Sequence, residues 1–325
     1  MMIVKKALVL TLGVVLCGCS AESLNKNDGQ YQKNVKSVEH LNAEALFNIG
    51  MSYVDKNDYE LAEPWLWKSA KEGHAKAQYM LGVMYEEGSV IPQDYHQAVH
   101  WYRQAAEQGL ADAQFSLGTM YLNGRGIPQD YRQAAQWYRK AAEQGQVFAQ
   151  FGLGVEYANG RGESQSYQKA AHWYRQAAER GYDLAQYNMA MMYVKGLGVP
   201  QDYHQAVHWY RQAAEQGNAK AQLNLGSMYD VGNGVQQSHQ QAVRWYRQAA
   251  EQGEARAQYN MGIMYYEGSG LPKDYQLAYA WLSVAVSNGL SAAIKPRDFI
   301  AKNLSSEALK EGQKLAAEYF KKYRS

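Results

Sequence analysis

The chain has 325 residues, a formal net charge of +2 from 33 basic and 31 acidic side chains, 46% hydrophobic residues and 13% aromatic ones. That balance leaves no basic footprint for nucleic acid or anionic lipid, and it supplies enough apolar material to exclude extensive disorder beyond the N-terminus. The two cysteines, Cys17 and Cys19, lie close to the start, so the rest of the chain has no disulfide, thiolate nucleophile or thiolate metal ligand.

The first segment, MMIVKKALVLTLGVVLCGCS, has a basic start at Lys5-Lys6 and an apolar run from Ala7 to Leu16. The run is too short to span a bilayer and has the layout of a secretory leader, here residues 1–18. Loss of that leader leaves 31 basic and 31 acidic residues. Leu16-Cys17-Gly18-Cys19 resembles the bacterial lipobox, in which the last Cys receives lipid and becomes the new N-terminus. The resemblance implies a lipid anchor at Cys19. Ser20 after it implies the inner face of the outer membrane, with several acyl chains holding the protein stably. The other reading is a plain signal peptide, which delivers the chain to the periplasm without an anchor. Residues 19–42 are polar and aperiodic and read as a flexible tether reaching about 25–30 Å.

From residue 43 the chain repeats with a period of 36: Trp65, Trp101, Trp137, Trp173, Trp209, Trp245 and Trp281 form one ladder, and Gly73, Gly109, Gly145, Gly181, Gly217, Gly253 and Gly289 another. A unit of this size buries its apolar face by stacking on copies of itself, so the pattern predicts one elongated solenoid rather than two globular domains. Each unit reads as two helices. In AQFSLGTMYLNGRGIPQDYRQAAQWYRKAAEQG the first carries Ala113, Leu117 and Tyr121 on one face and stops at Asn123-Gly124. The second places Ala134, Trp137, Tyr138, Ala141 and Ala142 inward and closes on Gly145. Between them Asp94, Asp130, Ser166, Asp202, Ser238 and Asp274 form a column of N-cap residues, with Gln97, Gln133, Gln205 and Gln241 completing capping boxes. The exchange of Asp for Ser at fixed phase points to capping rather than catalysis.

The motifs AxxxLGxxYxxGxG and AxxWxxxAAxxG, with the Asp cap between them, resemble the Sel-1-like repeat family over residues 74–290. The first unit, residues 43–73, has an inter-helix loop four residues shorter and resembles the tetratricopeptide repeat; Pro64 within its second helix predicts a kink. The resemblance implies an all-α, right-handed α/α superhelix of about seven hairpins. Residues 291–325 drop both ladders and read as an amphipathic capping helix that keeps the solenoid monomeric. Departures include Ala190 for a repeat Gly, Glu163 and Gln236 in the loops, and Val284-Ala285-Val286 near the end.

The sequence offers little chemistry. His96/His100 and His204/His208 are i, i+4 pairs, but no intervening Glu or third ligand accompanies them, and sister units hold Arg132/Gln136 and Gln240/Arg244 in the same columns. No catalytic residue, metal or cofactor is expected. If the hairpins stack as in the tetratricopeptide family, the first helices line a concave groove. Its outward positions are Phe148, Phe151, Val155 and Ala158, then Leu184, Tyr187, Met191 and Val194, with Lys76, Glu86, Glu87 and Asp112 on one side and Lys220, Asp230, Arg256 and Glu267 on the other. An apolar centre in a charged surround fits a protein or peptide partner, with packing between units the other reading of the same side chains. The Asn188, Asn224 and Asn260 ladder reads as internal bonding in the first place. Glu156 stands where Met84, Met120, Met192, Met228 and Met264 stand in other units, and its burial predicts a basic partner such as Arg161. The expectation is a periplasmic, membrane-anchored adaptor. The alternatives are an immunity lipoprotein that neutralises a secreted antibacterial effector, a role the resemblance brings in, and an envelope or cell-wall enzyme.

Overall fold

The computed structural model describes residues 41–323; the leader, Cys19 and most of the tether lie outside them. Sixteen α-helices and one 3-10 turn make up the described residues, with no strand among them. Seven antiparallel hairpins follow one another. The first three are α1 (Ala43–Val54) with α2 (Tyr59–Lys71), α3 (Ala75–Glu87) with α4 (Tyr95–Glu107), and α5 (Ala111–Asn123) with α6 (Tyr131–Glu143). The next two are α7 (Val147–Asn159) with α8 (Tyr167–Glu179) and α9 (Asp183–Lys195) with α10 (Tyr203–Glu215). The last two are α11 (Ala219–Val231) with α12 (His239–Glu251) and α13 (Ala255–Glu267) with α14 (Tyr275–Ser287). Each helix of a hairpin packs most closely on its partner, and the second helix of each of the first six hairpins packs next on the first helix of the following one, so the core is a continuous stack. None of these helices is long and apolar enough to cross a membrane.

The helices start and stop where local chemistry dictates. Asp94, Asp130, Ser166, Asp202, Ser238 and Asp274 all accept hydrogen bonds from backbone amides of the helix they precede. The return arm of the capping box does not form. The backbone N–H of each cap residue already donates to the carbonyl of a tyrosine in the preceding helix, as from Asp130 to Tyr121 at 3.0 Å, which ties the two helices of the hairpin together. α2 runs unbroken through Pro64, from Tyr59 to Lys71.

Glycine does two different jobs here. Gly82, Gly118, Gly154 and Gly226 lie under a tyrosine of the partner helix, and a Cβ on Gly118 would stand 2.8 Å from the Tyr138 ring. In the loops, a Cβ on Gly162 would stand 2.0 Å from the backbone oxygen of Tyr131, in the hairpin before it. The extra loop residues therefore rest on the preceding unit.

Two further devices lock unit to unit. Arg103, Arg139, Arg175, Arg211 and Arg247 each donate to a tyrosine hydroxyl of the next unit, from Tyr121 to Tyr265. A column of buried glutamines, Gln78, Gln114, Gln150, Gln186, Gln222 and Gln258, donates to alanine carbonyls eight residues earlier and so crosses each junction. Burying their N–H groups is tolerable because each donates inside the protein.

Both ends are closed. Leu41 packs on Leu46 and Trp65, and Asn42 caps α1, so the fold takes in the last two residues of the expected tether. At the other end a 3-10 turn (Ser291–Ala293) leads into two helices rather than one, α15 (Ile294–Asn303) and α16 (Ser306–Lys322). α16 lies along α14, where Trp281 meets Tyr319 at 4.8 Å and stacks on Tyr323 at 5.6 Å between ring centroids. The last repeat tryptophan is thereby covered. Trp137 and Trp173, expected inward, are only half-buried; Lys140 covers the Trp137 ring at 4.0 Å.

Candidate interaction surface

The first helices of successive hairpins present their outward residues on one face. On α5, α7 and the entry to α9 these residues touch across unit boundaries. Phe148 meets Phe115 at 6.0 Å and Tyr182 at 5.3 Å, and Phe151 meets Tyr182 at 5.1 Å. Phe151 also lies 5.6 Å from Tyr174 of its own hairpin. The result is an aromatic stripe, half-buried throughout, that rests on the core and leaves one side to solvent.

Val155, Tyr187 and Met191 continue the stripe and pack against the same core, and Leu184 is half-buried beside them. The two readings of these residues thus merge, for the side chains pack between units and also form the surface. Tyr187 lies 5.9 Å from Tyr210, and the Asn224 amide donates to the Tyr210 hydroxyl at 3.0 Å. Burial raises the Tyr187 phenol above its usual range; the Asn224 amide draws it back, Glu254 raises it, and Arg256 lowers it. Groups on α9, α11 and α13 thus share one neighbourhood although α13 lies two hairpins beyond α9. Lys220 and Arg256 are exposed at the edge of this region.

Sequence reasoning missed Phe115, Tyr182 and Tyr79. Phe115 and Tyr79 belong to a column that also holds Phe151, Tyr187, Leu223 and Tyr259, so a uniformly large apolar column was the available signal. Tyr182 had none, because sister units place His74, Leu110, Gln146, Asn218 and Glu254 there.

Of the histidines singled out for chemistry, His96 and His204 are exposed, and the other two are tied into the structure. His100 and His208 bond Gln104 and Gln212, and those glutamines in turn bond the buried column at Gln78 and Gln186. Among the described residues no group of three His, Cys, Asp or Glu side chains is placed to hold a metal ion. Asn224 and, through the Tyr246 hydroxyl, Asn260 bond tyrosines of their neighbourhood. Glu156 is 2% exposed, and its Oε2 has no hydrogen-bond partner. Arg161 does not close an ion pair with it; its guanidinium sits over the Tyr131 ring at 5.7 Å and acts on Glu156 only through its field.

The Sel1 repeat model matches six consecutive segments, residues 75–110, 111–146, 147–182, 183–218, 219–254 and 255–290. The chain belongs to the Sel1 repeat family. A Sel1 repeat protein from Oxalobacter formigenes is similar in structure, at 33% identity and a TM-score of 0.66, over 74% of this chain and 96% of that one. A protective antigen of uropathogenic Escherichia coli with the same fold type is 28% identical over 92% of this chain and 95% of that one, with a TM-score of 0.34. The immunity protein Pa5087 from Pseudomonas aeruginosa is 19% identical over 67% of this chain and 83% of that one, with a TM-score of 0.39. At that level of superposition neither of the last two bears on function. No match was found among curated proteins. The Sel1 repeat is a scaffold type for protein–protein interaction.

Proposed function

We propose that this Sel1 repeat protein is a non-enzymatic scaffold that holds a protein or peptide partner along the stripe from Phe115 to Met191. In this reading it works in the periplasm as a monomer, tethered to the outer membrane through lipid on Cys19. The observation that carries the binding role is the aromatic stripe itself, which spans three units and keeps its outer side in solvent. Apolar surface of this kind within a polar surround is characteristic of interfaces. The leader sequence and the Leu16-Cys17-Gly18-Cys19 motif support the location.

Capture from envelope extract tests this reading. The mature chain is compared with a Phe151→Asp/Tyr187→Asp variant whose helical circular dichroism matches the parent. A protein held by the parent and lost by the variant is the expected result. Equal capture by both, or none by the parent, would contradict it.

A further inference from the structure

In the fourth hairpin, α7 with α8, the bonding pattern of the stack fails at several points. In five of the six units of the buried glutamine column, Oε1 accepts from the side-chain amide of the residue that ends the second helix of the same hairpin. Gln114 accepts from Gln144 in this way at 2.8 Å, and Gln186 from Gln216 at 2.7 Å. The fourth hairpin has Arg180 at that place; its guanidinium turns to the Gly145 carbonyl at 2.7 Å, and Gln150 Oε1 is buried without a partner. Further along α7, Glu156 Oε2 is a second buried oxygen without a partner. Opposite it, Tyr174 differs from its sisters. Tyr102, Tyr138 and Tyr210 meet Glu86, Thr119 and Asn224, whereas among the described residues no side chain bonds the Tyr174 hydroxyl. α7 also carries Gly152 in its interior beside the repeat glycine Gly154, where sister helices have Met80, Ser116 or Asn224. Glycine weakens a helix interior more than any residue except proline. The other buried polar side-chain atoms without a partner among the described residues are the indole nitrogens of Trp65 and Trp101, which lie in separate hairpins.

A buried acceptor without a partner recovers a hydrogen bond from water when its surroundings open, so each such group lowers the cost of opening the hairpin that holds it. In a stack stabilised only by its units and their junctions, the inner unit with the most such defects opens most easily. We propose that the fourth hairpin is a pH-dependent joint, opening as a unit between folded blocks on either side. Phe148 and Phe151 belong to α7, so its opening takes the centre out of the aromatic stripe that Phe115 and Tyr182 border. Glu156 supplies the pH dependence. The charged or titratable groups that act on it are Arg161 from the inter-helix loop, Tyr138 from α6 and Tyr174 from α8. Burial pushes both phenols up, so neither carries charge near neutral pH, and Arg161 lies over the Tyr131 ring rather than in an ion pair with Glu156. The ionised carboxylate gains more from water than the protonated one, so the joint loosens as pH rises towards neutrality and tightens in acid. The opening stands apart from the role of the stripe; only its effect on binding rests on the reading above.

Hydrogen–deuterium exchange of the mature chain, read by mass spectrometry on peptides from each hairpin, tests this with no partner present. Near neutral pH, α7 amides are expected to exchange about tenfold faster than those of α5 and α9, its counterparts in the flanking hairpins. After correction for the intrinsic effect of pH on exchange, that gap is expected to narrow near pH 4. The sister units supply the repairs. Glu156→Met is expected to abolish the pH dependence, and Arg180→Gln, which restores a donor for Gln150, to slow α7 exchange at both pH values. Protection of α7 equal to that of α5 and α9 would overturn the joint. A gap indifferent to pH, or one that keeps its pH dependence in Glu156→Met, would overturn the switch, and an Arg180→Gln variant no slower than the parent would overturn the part assigned to Gln150. The parent chain alone reads the first two outcomes, so misfolding of a variant leaves the joint and its pH dependence open to refutation.

Discussion

Glu156 shows how one substitution in a repeated column changes the local physics. Where other units place methionine, its carboxyl is buried, and burial raises its pKa above the ordinary 4.5 while the Arg161 charge draws it back. A raised acid means the folded chain prefers the protonated form. The penalty is therefore absent below about pH 4.5 and grows as pH rises through the folded-state value. Urea unfolding of the parent and of Glu156→Gln is expected to give equal stabilities near pH 4 and a parent that is weaker at neutral pH. A difference that stays constant with pH would contradict this account. Gln150 is a second irregularity in the same unit. Its sisters Gln114, Gln186 and Gln222 accept from Gln144, Gln216 and Gln252, but Arg180 occupies the corresponding place and donates to the Gly145 carbonyl instead. The Gln150 Oε1 is left buried without a partner. Both local inconsistencies fall in the unit that contributes Phe148 and Phe151, and such breaks in a regular pattern tend to gather where function competes with packing.

At the scale of the element, the hairpin was legible because its signals are local. The Trp and Gly ladders fixed the unit length, the Asp/Ser column marked the start of each second helix, and Leu117 and Tyr121 gave the buried face of the first. What was not legible came from groups that act across the chain. The missing arm of the capping box depends on the Tyr121 carbonyl, which reaches the Asp130 amide only once the hairpin is closed. The buried glutamine column lay beside the conspicuous alanines, and no periodicity says whether an amide there meets water or a neighbouring unit. The loop glycines likewise separate only in three dimensions. Gly162 and Gly181 both have positive φ, at 70° and 89°, but a Cβ on Gly181 would meet nothing within 4 Å. Gly181→Ala is expected to cost about 1 kcal/mol from the left-handed backbone alone. Gly162→Ala, which also drives a methyl into the Tyr131 carbonyl, is expected to cost about 3 kcal/mol. Equal urea midpoints for the two variants would show that the loop does not brace the preceding unit.

At the scale of the molecule, seven hairpins closed by α15 and α16 make one continuous stack whose first helices carry the apolar stripe on one face. The apolar centre of that face could be read from columns of residues, since Phe148, Phe151, Val155, Tyr187 and Met191 recur at fixed offsets. Its continuity could not, because Tyr182 bridges Phe148 and Phe151 from the turn before α9, where sister units have unrelated side chains. The central claim is that this face holds the partner. A photoreactive phenylalanine analogue placed at Phe151 or Tyr187, or at exposed Arg132 on α6 as the outer-face counterpart, tests it in the intact cell. Light-dependent adducts to one protein from positions 151 and 187 but not from 132 are the predicted result; adducts from 132 alone, or none from the stripe, would contradict it.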